Sequence, residues 1–309
     1  MRTSAQGEEI RTHPARPTAL ATPTVAPMTT PPPLDPDAVS RALPAAGRVV
    51  VVERTESTST DLVAAARDEP SAWPDRSVLV ADHQAGGRGR AGRTWTTPPR
   101  AALTVSVLLR PDVAPDRLGW LPLLTGLAVV RAVGEVAGVR AALKWPNDVL
   151  VPAPDGTDQP GWGSWRKLAG ILAEVVPDAS ATARPAVVLG IGLNVAQAPD
   201  ELPVPTAASL RGVGADVDRT DLLAALVRHV VALDDRWRSG DATLADDVAA
   251  VCATLGAPVR VDLPGGRTLA GTASSLAPDG ALVVTDAAGR RHDVHAGDVL
   301  HLRARPASG

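Results

Sequence analysis

The chain has 309 residues, enough for a sizeable core and about two domains. Its 31 Lys and Arg against 34 Asp and Glu leave a net charge of −3, so no global field draws nucleic acid or a membrane surface. The single cysteine, Cys252, excludes an intrachain disulfide and suits a reducing, cytoplasmic compartment, and no apolar run approaches the roughly 18 residues of a membrane helix.

Residues 1–35 are rich in Pro, Thr, Ala and Arg and end in TTPPPLDP. They lack helix or strand periodicity, so a disordered segment is expected over 1–45 apart from a short helix candidate at Asp37–Leu43. No apolar stretch follows the first charges, which argues against a secretory signal, and Met28 is a candidate start of translation. Arg48–Glu53 (RVVVVE) reads as the first strand. Thr58 or Ser59 is expected to cap a helix through about Arg67.

Two strand-like runs, Ser77–His83 and Ala102–Arg110, flank the stretch Gln84–Trp95, QAGGRGRAGRTW. Four glycines and three arginines without an acid are poorly suited to a core. Backbone N–H groups of such a loop form an anion-binding nest, and each Arg adds a planar fork of donors for phosphate or carboxylate. The bland alternative is a surface loop with solvated arginines.

Asp116–Gly138 reads as a long, mostly apolar helix that must be buried, and Leu143–Val151 as a strand interrupted at Pro146. Pro152–Arg166 is a Gly/Pro/Trp loop. Lys167–Val176 and Ala186–Val195 look like two more buried strands. Ala196–Arg219 is a Pro-rich connection too long to be a simple turn. Thr220–Arg238 and Leu244–Leu255 are helical, with Cys252 a small packed residue. From Ala257 onward short β-runs separated by Gly-containing turns predict a small all-β barrel, with a domain boundary near Gly256. The chain has seven Trp but no Phe and no Tyr, so the core must be built from Val, Leu and Ala.

Four further motifs carry chemistry. Ser57, Thr58 and Ser59 place three hydroxyls at a helix N-terminus, as caps or as partners of a polar ligand. Lys144–Asp148 (KWPND) offers a cation, an amide and a magnesium-type carboxylate, or simply a strand ending in a turn. Lys167 opens an apolar strand, either as a solvated end or as a phosphate contact. Gly190–Asn194 (GIGLN) permits close approach to a strand that closes on a polar group. His83 reads as structural, and His292, His295 and His301 as surface residues without metal-ligand spacing. No Walker-type phosphate loop and no GxGxxG opening a helix is present.

In this order and spacing, EST-STD, GRGRAGRTW, KWPNDVL, KLAGILAE and GIGLNV resemble the biotin–protein ligases, over about residues 48–303. The resemblance implies a mixed α/β catalytic domain of the class II synthetase-like type over 46–256 and an SH3-like barrel over 257–305. The family's optional winged-helix repressor domain has no counterpart in the first 45 residues, which implies no DNA-binding role. Two steps are implied: biotin and ATP give biotinyl-5′-AMP, and a lysine on the biotin carboxyl carrier domain of a biotin-dependent carboxylase then takes the biotin. Joining two anions needs positive charge and placement more than a general base, since they repel by roughly several kcal/mol at an effective dielectric near 20.

By motif, Ser57, Thr58, Ser59 and Gln84 would face biotin. Arg88, Gly89 and Arg90 would fold over biotin and the phosphates, and Lys167 would hold the reacting oxygens; Arg88, Arg90 and Lys167 are the implied catalytic groups. Arg93, Trp95, Lys144, Asn147, Asn194 and Arg303 would serve ATP, with Asp148 a Mg²⁺ contact. Ser59 stands where the family has Asn, a loss worth roughly 1 kcal/mol of biotin binding. The implied assembly is a monomer or weak homodimer, without nucleic acid or membrane. A lipoate or octanoate ligase shares the fold and the adenylation chemistry, and a non-catalytic biotin-adenylate sensor is a further reading. A nucleotide- or RNA-binding module lacks stacking aromatics besides Trp95.

Overall fold

Short apolar runs rich in Val and Leu pair into a seven-stranded mixed sheet. The computed structural model describes residues 30–176, 185–295 and 297–301. The helix α1 (Pro36–Ala42) is capped by Asp35, whose side chain accepts from the Asp37 N–H. It matches the helix candidate at Asp37–Leu43 within the 1–45 segment, and its surroundings are ordered too: Val39 and Leu43 are buried and Leu34 donates its N–H to the Asp82 carboxylate. The packed chain therefore begins by Leu34. Residues 1–29, and with them the Met28 reading, lie outside the described residues.

β1 (Val49–Thr55), α2 (Thr58–Asp68) and β2 (Val78–Gln84) form a parallel crossover unit. The cap of α2 is Ser57, not Thr58 or Ser59: its hydroxyl accepts from the Thr60 N–H. Two short strands, β3 (Gly87–Arg88) and β4 (Thr94–Trp95), fold the Gly/Arg stretch into a hairpin, with Ala91 and Gly92 at positive φ near its tip. β5 (Ala102–Leu109) is buried throughout.

A 3₁₀ turn at Pro115–Trp120 leads into α3 (Leu121–Ala137). Pro115–Ala137 is long and apolar enough to cross a membrane, contrary to the sequence reading. It is instead a core helix: Leu123, Leu127, Ala128 and Val133 are buried in the cluster shared with the sheet. KWPND is not an interrupted strand but a hairpin between β6 (Ala142–Lys144) and β7 (Asp148–Pro152), turning at a cis Trp145–Pro146 bond.

β8 (Trp165–Val176) and β9 (Ala186–Asn194) complete the sheet, in the order β1-β2-β5-β9-β8-β7-β6, antiparallel except for β1 and β2. β8 is only half-buried, unlike β9, and Lys167, Gly170 and Leu172 face a cavity, with a register shift against β7 between Lys167 and Ala169. α4 (Arg219–Arg238) and α5 (Leu244–Val251) follow.

Odd-numbered residues of β5 and β9, such as Val105, Val107, Leu189 and Ile191, pack with α3 and α4. On the opposite face α2 covers Leu108 and Val188 through Leu62 and Ala66. The remainder of that second face is not filled by a helix.

β10 (Pro258–Asp262), β11 (Thr268–Leu276), β12 (Leu282–Thr285), β13 (Arg291–Val294) and β14 (Asp298–His301) form a five-stranded antiparallel sheet, the small C-terminal barrel that was expected. Its Val259, Val261, Leu282 and Val299 join the same apolar cluster as α3 and the large sheet, so the core runs across the boundary read at Gly256.

Candidate active site

The open part of the second face is made of small residues by register. Ser106 pairs with Gly190, and Gly190 with Leu172; Thr104 pairs with Gly192, and Gly192 with Gly170. With no side chain at 170, 190 or 192, other elements lie directly on the sheet. A methyl at Gly190 would overlap the Ser59 hydroxyl, and one at Gly192 would overlap the Trp95 indole. At Gly170 it would stand 3.1 Å from Lys167 Nζ.

Above this floor lies a cavity of about 360 Å³. The N-terminus of α2 closes one end, the β3–β4 hairpin roofs it, and KWPND and barrel residues Asp262, Asp298, Val299 and Leu300 form its far walls.

One end is lined by neutral polar groups. Ser57, Thr58, Ser59 and Gln84 are all buried there. Thr58 donates both its N–H (2.8 Å) and its hydroxyl (2.9 Å) to Gln84 Oε1. The other end is cationic. Lys167 Nζ pairs with Asp148 Oδ1 at 2.7 Å and lies 5.8 Å from the Trp95 ring centre. Arg88 donates to Glu174 Oε1 (2.6 Å), and Arg90 to Asn147 Oδ1 (3.1 Å). Asn147 in turn donates to the Ile171 carbonyl. Arg93, at the hairpin's end, pairs with Asp298 of the barrel. Lys144 is buried and stacks on Trp162, 4.1 Å from the ring centre.

Burial pushes the Arg90 guanidinium below its ordinary value, with Asp298 and Asp148 opposing. Burial does the same to Lys144, again opposed by Asp148. Both cations are poorly solvated, a cost that an anion in the cavity would offset. Trp95 Nε1 is buried without a hydrogen-bond partner.

The structure thus brings together Ser57, Thr58, Ser59, Gln84, Arg88, Gly89, Arg90, Arg93, Trp95, Lys144, Asn147, Asp148 and Lys167. Asn194 is not among the lining residues. Its amide donates to the Ala208 carbonyl and accepts from Gln197, holding the 196–208 connection. Arg303 lies outside the described residues.

His301 is not a surface residue. Its Nε2 stands 3.1 Å from the Thr254 hydroxyl, and burial, with Lys144 nearby, pushes its pKa down to about 4. Sequence reading assigned no role to Glu174, Trp145, Trp162 or the barrel carboxylates Asp262 and Asp298. Glu174 was findable, since residues 170, 172 and 174 share the cavity face of one strand. The barrel contribution had no signal, because it depends on how β10 and β14 dock.

Among known proteins, the Biotin/lipoate A/B protein ligase family matches residues 51–194, and the Biotin protein ligase C terminal domain matches residues 254–302. The chain is 43% identical to the biotin–[acetyl-CoA-carboxylase] ligase of Mycobacterium tuberculosis, over 88% of this chain and 97% of that protein. It is similar in structure to the biotin protein ligase of Aquifex aeolicus in complex with biotin and ATP, with a TM-score of 0.65, 25% identity and coverage of 84% of this chain and all of the other. It is also similar to that of Leishmania major in complex with biotinyl-5-AMP, with a TM-score of 0.52, 26% identity and coverage of 81% and 99%. With the sheet, the glycine floor, the Gly/Arg hairpin and the barrel all in place, the chain belongs to the biotin/lipoate A/B protein ligase family.

Proposed function

We propose that the protein is an ATP-dependent biotin–protein ligase that modifies one lysine of a biotin carboxyl carrier domain. The observation that carries this reading is the polarity of the cavity above the glycine floor. A neutral hydroxyl-and-amide end suits a cyclic urea, and a cationic end across a bare floor suits a carboxylate meeting a triphosphate.

In the first step a biotin carboxylate oxygen attacks the α-phosphorus of ATP. The bond to the bridging oxygen breaks, and pyrophosphate leaves. Lys167 and Arg90 offset the charge that gathers on the phosphoryl oxygens, and Arg88 holds the carboxylate end. In the second step the neutral ε-amine of the carrier lysine attacks the acyl carbon. AMP leaves, and the amine's proton passes to solvent or phosphate. Trp95, Arg93, Lys144 and Asn147 are the nucleotide-side residues in this reading.

Mg²⁺, when bound, would supply charge neutralisation for the leaving pyrophosphate. Among the described residues no group of three or more His, Cys, Asp or Glu gathers to hold a metal. Asp148, which pairs with Lys167, is the carboxylate that would contact the ion. The proposed setting is a reducing compartment, as a monomer or weak homodimer.

Titration calorimetry with biotin, lipoate and octanoate, followed by labelling of a carrier domain, tests the proposal. Tight binding of biotin with transfer to one lysine is expected. Binding of lipoate or octanoate instead would move the protein to the sister activity. Adenylate formation without transfer would make it a sensor.

A further inference from the structure

Behind the polar end of the cavity runs a chain of hydroxyls whose proton directions are fixed by one backbone group. The Thr58 N–H can only donate, so the Gln84 atom 2.8 Å from it is the carbonyl oxygen. The Thr58 hydroxyl, 2.9 Å from that same oxygen, must then donate to it as well. Ser106 Oγ lies 2.8 Å from Thr58 Oγ1, whose only proton is committed, so Ser106 donates to Thr58. Ser59 Oγ lies 3.1 Å from Ser106 Oγ, and by the same reasoning Ser59 donates to Ser106. Each hydroxyl proton of Thr58, Ser106 and Ser59 is thus committed to a partner within the row. Ser59 therefore presents only lone pairs to a ligand. Ser57, whose oxygen accepts from the Thr60 N–H, keeps its proton to give.

We propose that Ser106, fully buried and outside the cavity lining, is a positioning residue that fixes Ser59 as a hydrogen-bond acceptor and so selects a ligand with an N–H at that point. A cyclic urea offers such an N–H beside its carbonyl, whereas the dithiolane of lipoate offers neither. The relay also accounts for a serine at position 59: polarity imposed from Ser106 supplies the acceptor that an amide oxygen would supply. The inference rests on the biotin reading above and deepens it.

The test is calorimetric binding of biotin and of its two cyclic carbamates, in which one ureido N–H or the other is replaced by O. Wild type should reject one carbamate by about tenfold or more, because ring oxygen would face the Ser59 lone pairs. In Ser106→Ala the Ser59 hydroxyl is free to turn and donate, so rejection should fall to about twofold while biotin binding weakens severalfold. Ser106→Thr, which keeps the hydroxyl, should restore the rejection. Ser59→Ala, which leaves Ser106 intact, should lose it and serves should Ser106→Ala not fold. Rejection retained in Ser106→Ala or in Ser59→Ala would overturn the relay alone. Failure of wild type to bind biotin at all would instead overturn the function on which it rests.

Discussion

Lys167 Nζ and Asp148 Oδ1 face each other at 2.7 Å from adjacent strands, β8 and β7, at the cationic end of the cavity. In the proposed function an arriving phosphate parts this pair, and what it gains from the lysine is set against what the carboxylate loses. Lys167→Ala should lower biotin-dependent pyrophosphate exchange more than tenfold, in line with removal of one preorganised charge, with an unchanged thermal transition. Arg88→Ala should do the same. An exchange rate equal to wild type would remove either residue from its role.

Arg90 is held by Asn147 across the mouth of the cavity, half-buried, at the tip of the β3–β4 hairpin. Arg90→Gly should loosen retention of the adenylate. The expected outcome is biotin appearing on unrelated proteins mixed with the enzyme, severalfold above wild type, measured by blotting after a fixed time. Equal background labelling would mean that the hairpin tip does not retain the intermediate.

Ser59→Asn should tighten biotin binding by a few fold, roughly the worth of one added hydrogen bond. The longer amide can donate to Ser106 and still turn an oxygen to the ligand, with the methylene over Gly190. A weaker Kd in titration would show that the space above Gly190 does not admit the longer side chain.

Gly192→Ala tests the floor. The added methyl would overlap the Trp95 ring. The indole must lift, and the hairpin with it, so ATP binding should weaken at least tenfold while the sheet pairing survives. Fluorescence titration of a nucleotide analogue would show it, and unaltered affinity would mean that the indole has room to slide.

His301 predicts an acid limb in stability. Its Nε2 is placed to accept from the Thr254 hydroxyl, whose oxygen accepts from the Trp145 N–H, an arrangement that needs neutral imidazole. The folded pKa is about 4 against 6.5 for the free side chain. Between these values the unfolded chain binds a proton that the folded chain does not, so stability falls as pH drops through that window and levels off below it. His301→Asn should flatten this limb, and melting curves from neutral to about pH 4 should differ in slope by several degrees. Parallel curves would place the acid sensitivity elsewhere.

How far the sequence reached depended on whether a feature was local. Strand and helix positions followed from Val and Leu alternation and from the Gly and Pro breaks, and β5, β9 and α4 lie within a residue or two of expectation. The hydroxyls, arginines and Lys167 that line the cavity stood out because they fall in motifs of distinctive spacing. Asn194, expected on the nucleotide side, bonds Ala208 and Gln197, since a strand-end amide serves a neighbouring loop as readily as a ligand. Ser106 was invisible for the opposite reason: a serine within LTVSVLLR looks like any half-polar strand position until register sets it beside Gly190. His301 read as surface because nothing local announces that Thr254 will cover it. The hairpin at Pro146 read as an interruption because a break in a strand does not say which way the chain leaves.

The bare floor has a consequence for any attempt to change what the cavity accepts. Gly170, Gly190 and Gly192 have no side chain left to trim, so substitution there only makes the chamber shallower. Depth is capped by the main chain of the sheet itself. A bulkier ligand would have to be accommodated by cutting back the roof at Trp95, which the proposed function sets beside the nucleotide, or by shifting the barrel wall that Arg93 of the same hairpin grips through Asp298. Widening the range of acids the protein accepts should therefore come with a poorer hold on ATP, a trade set by geometry rather than by any one residue.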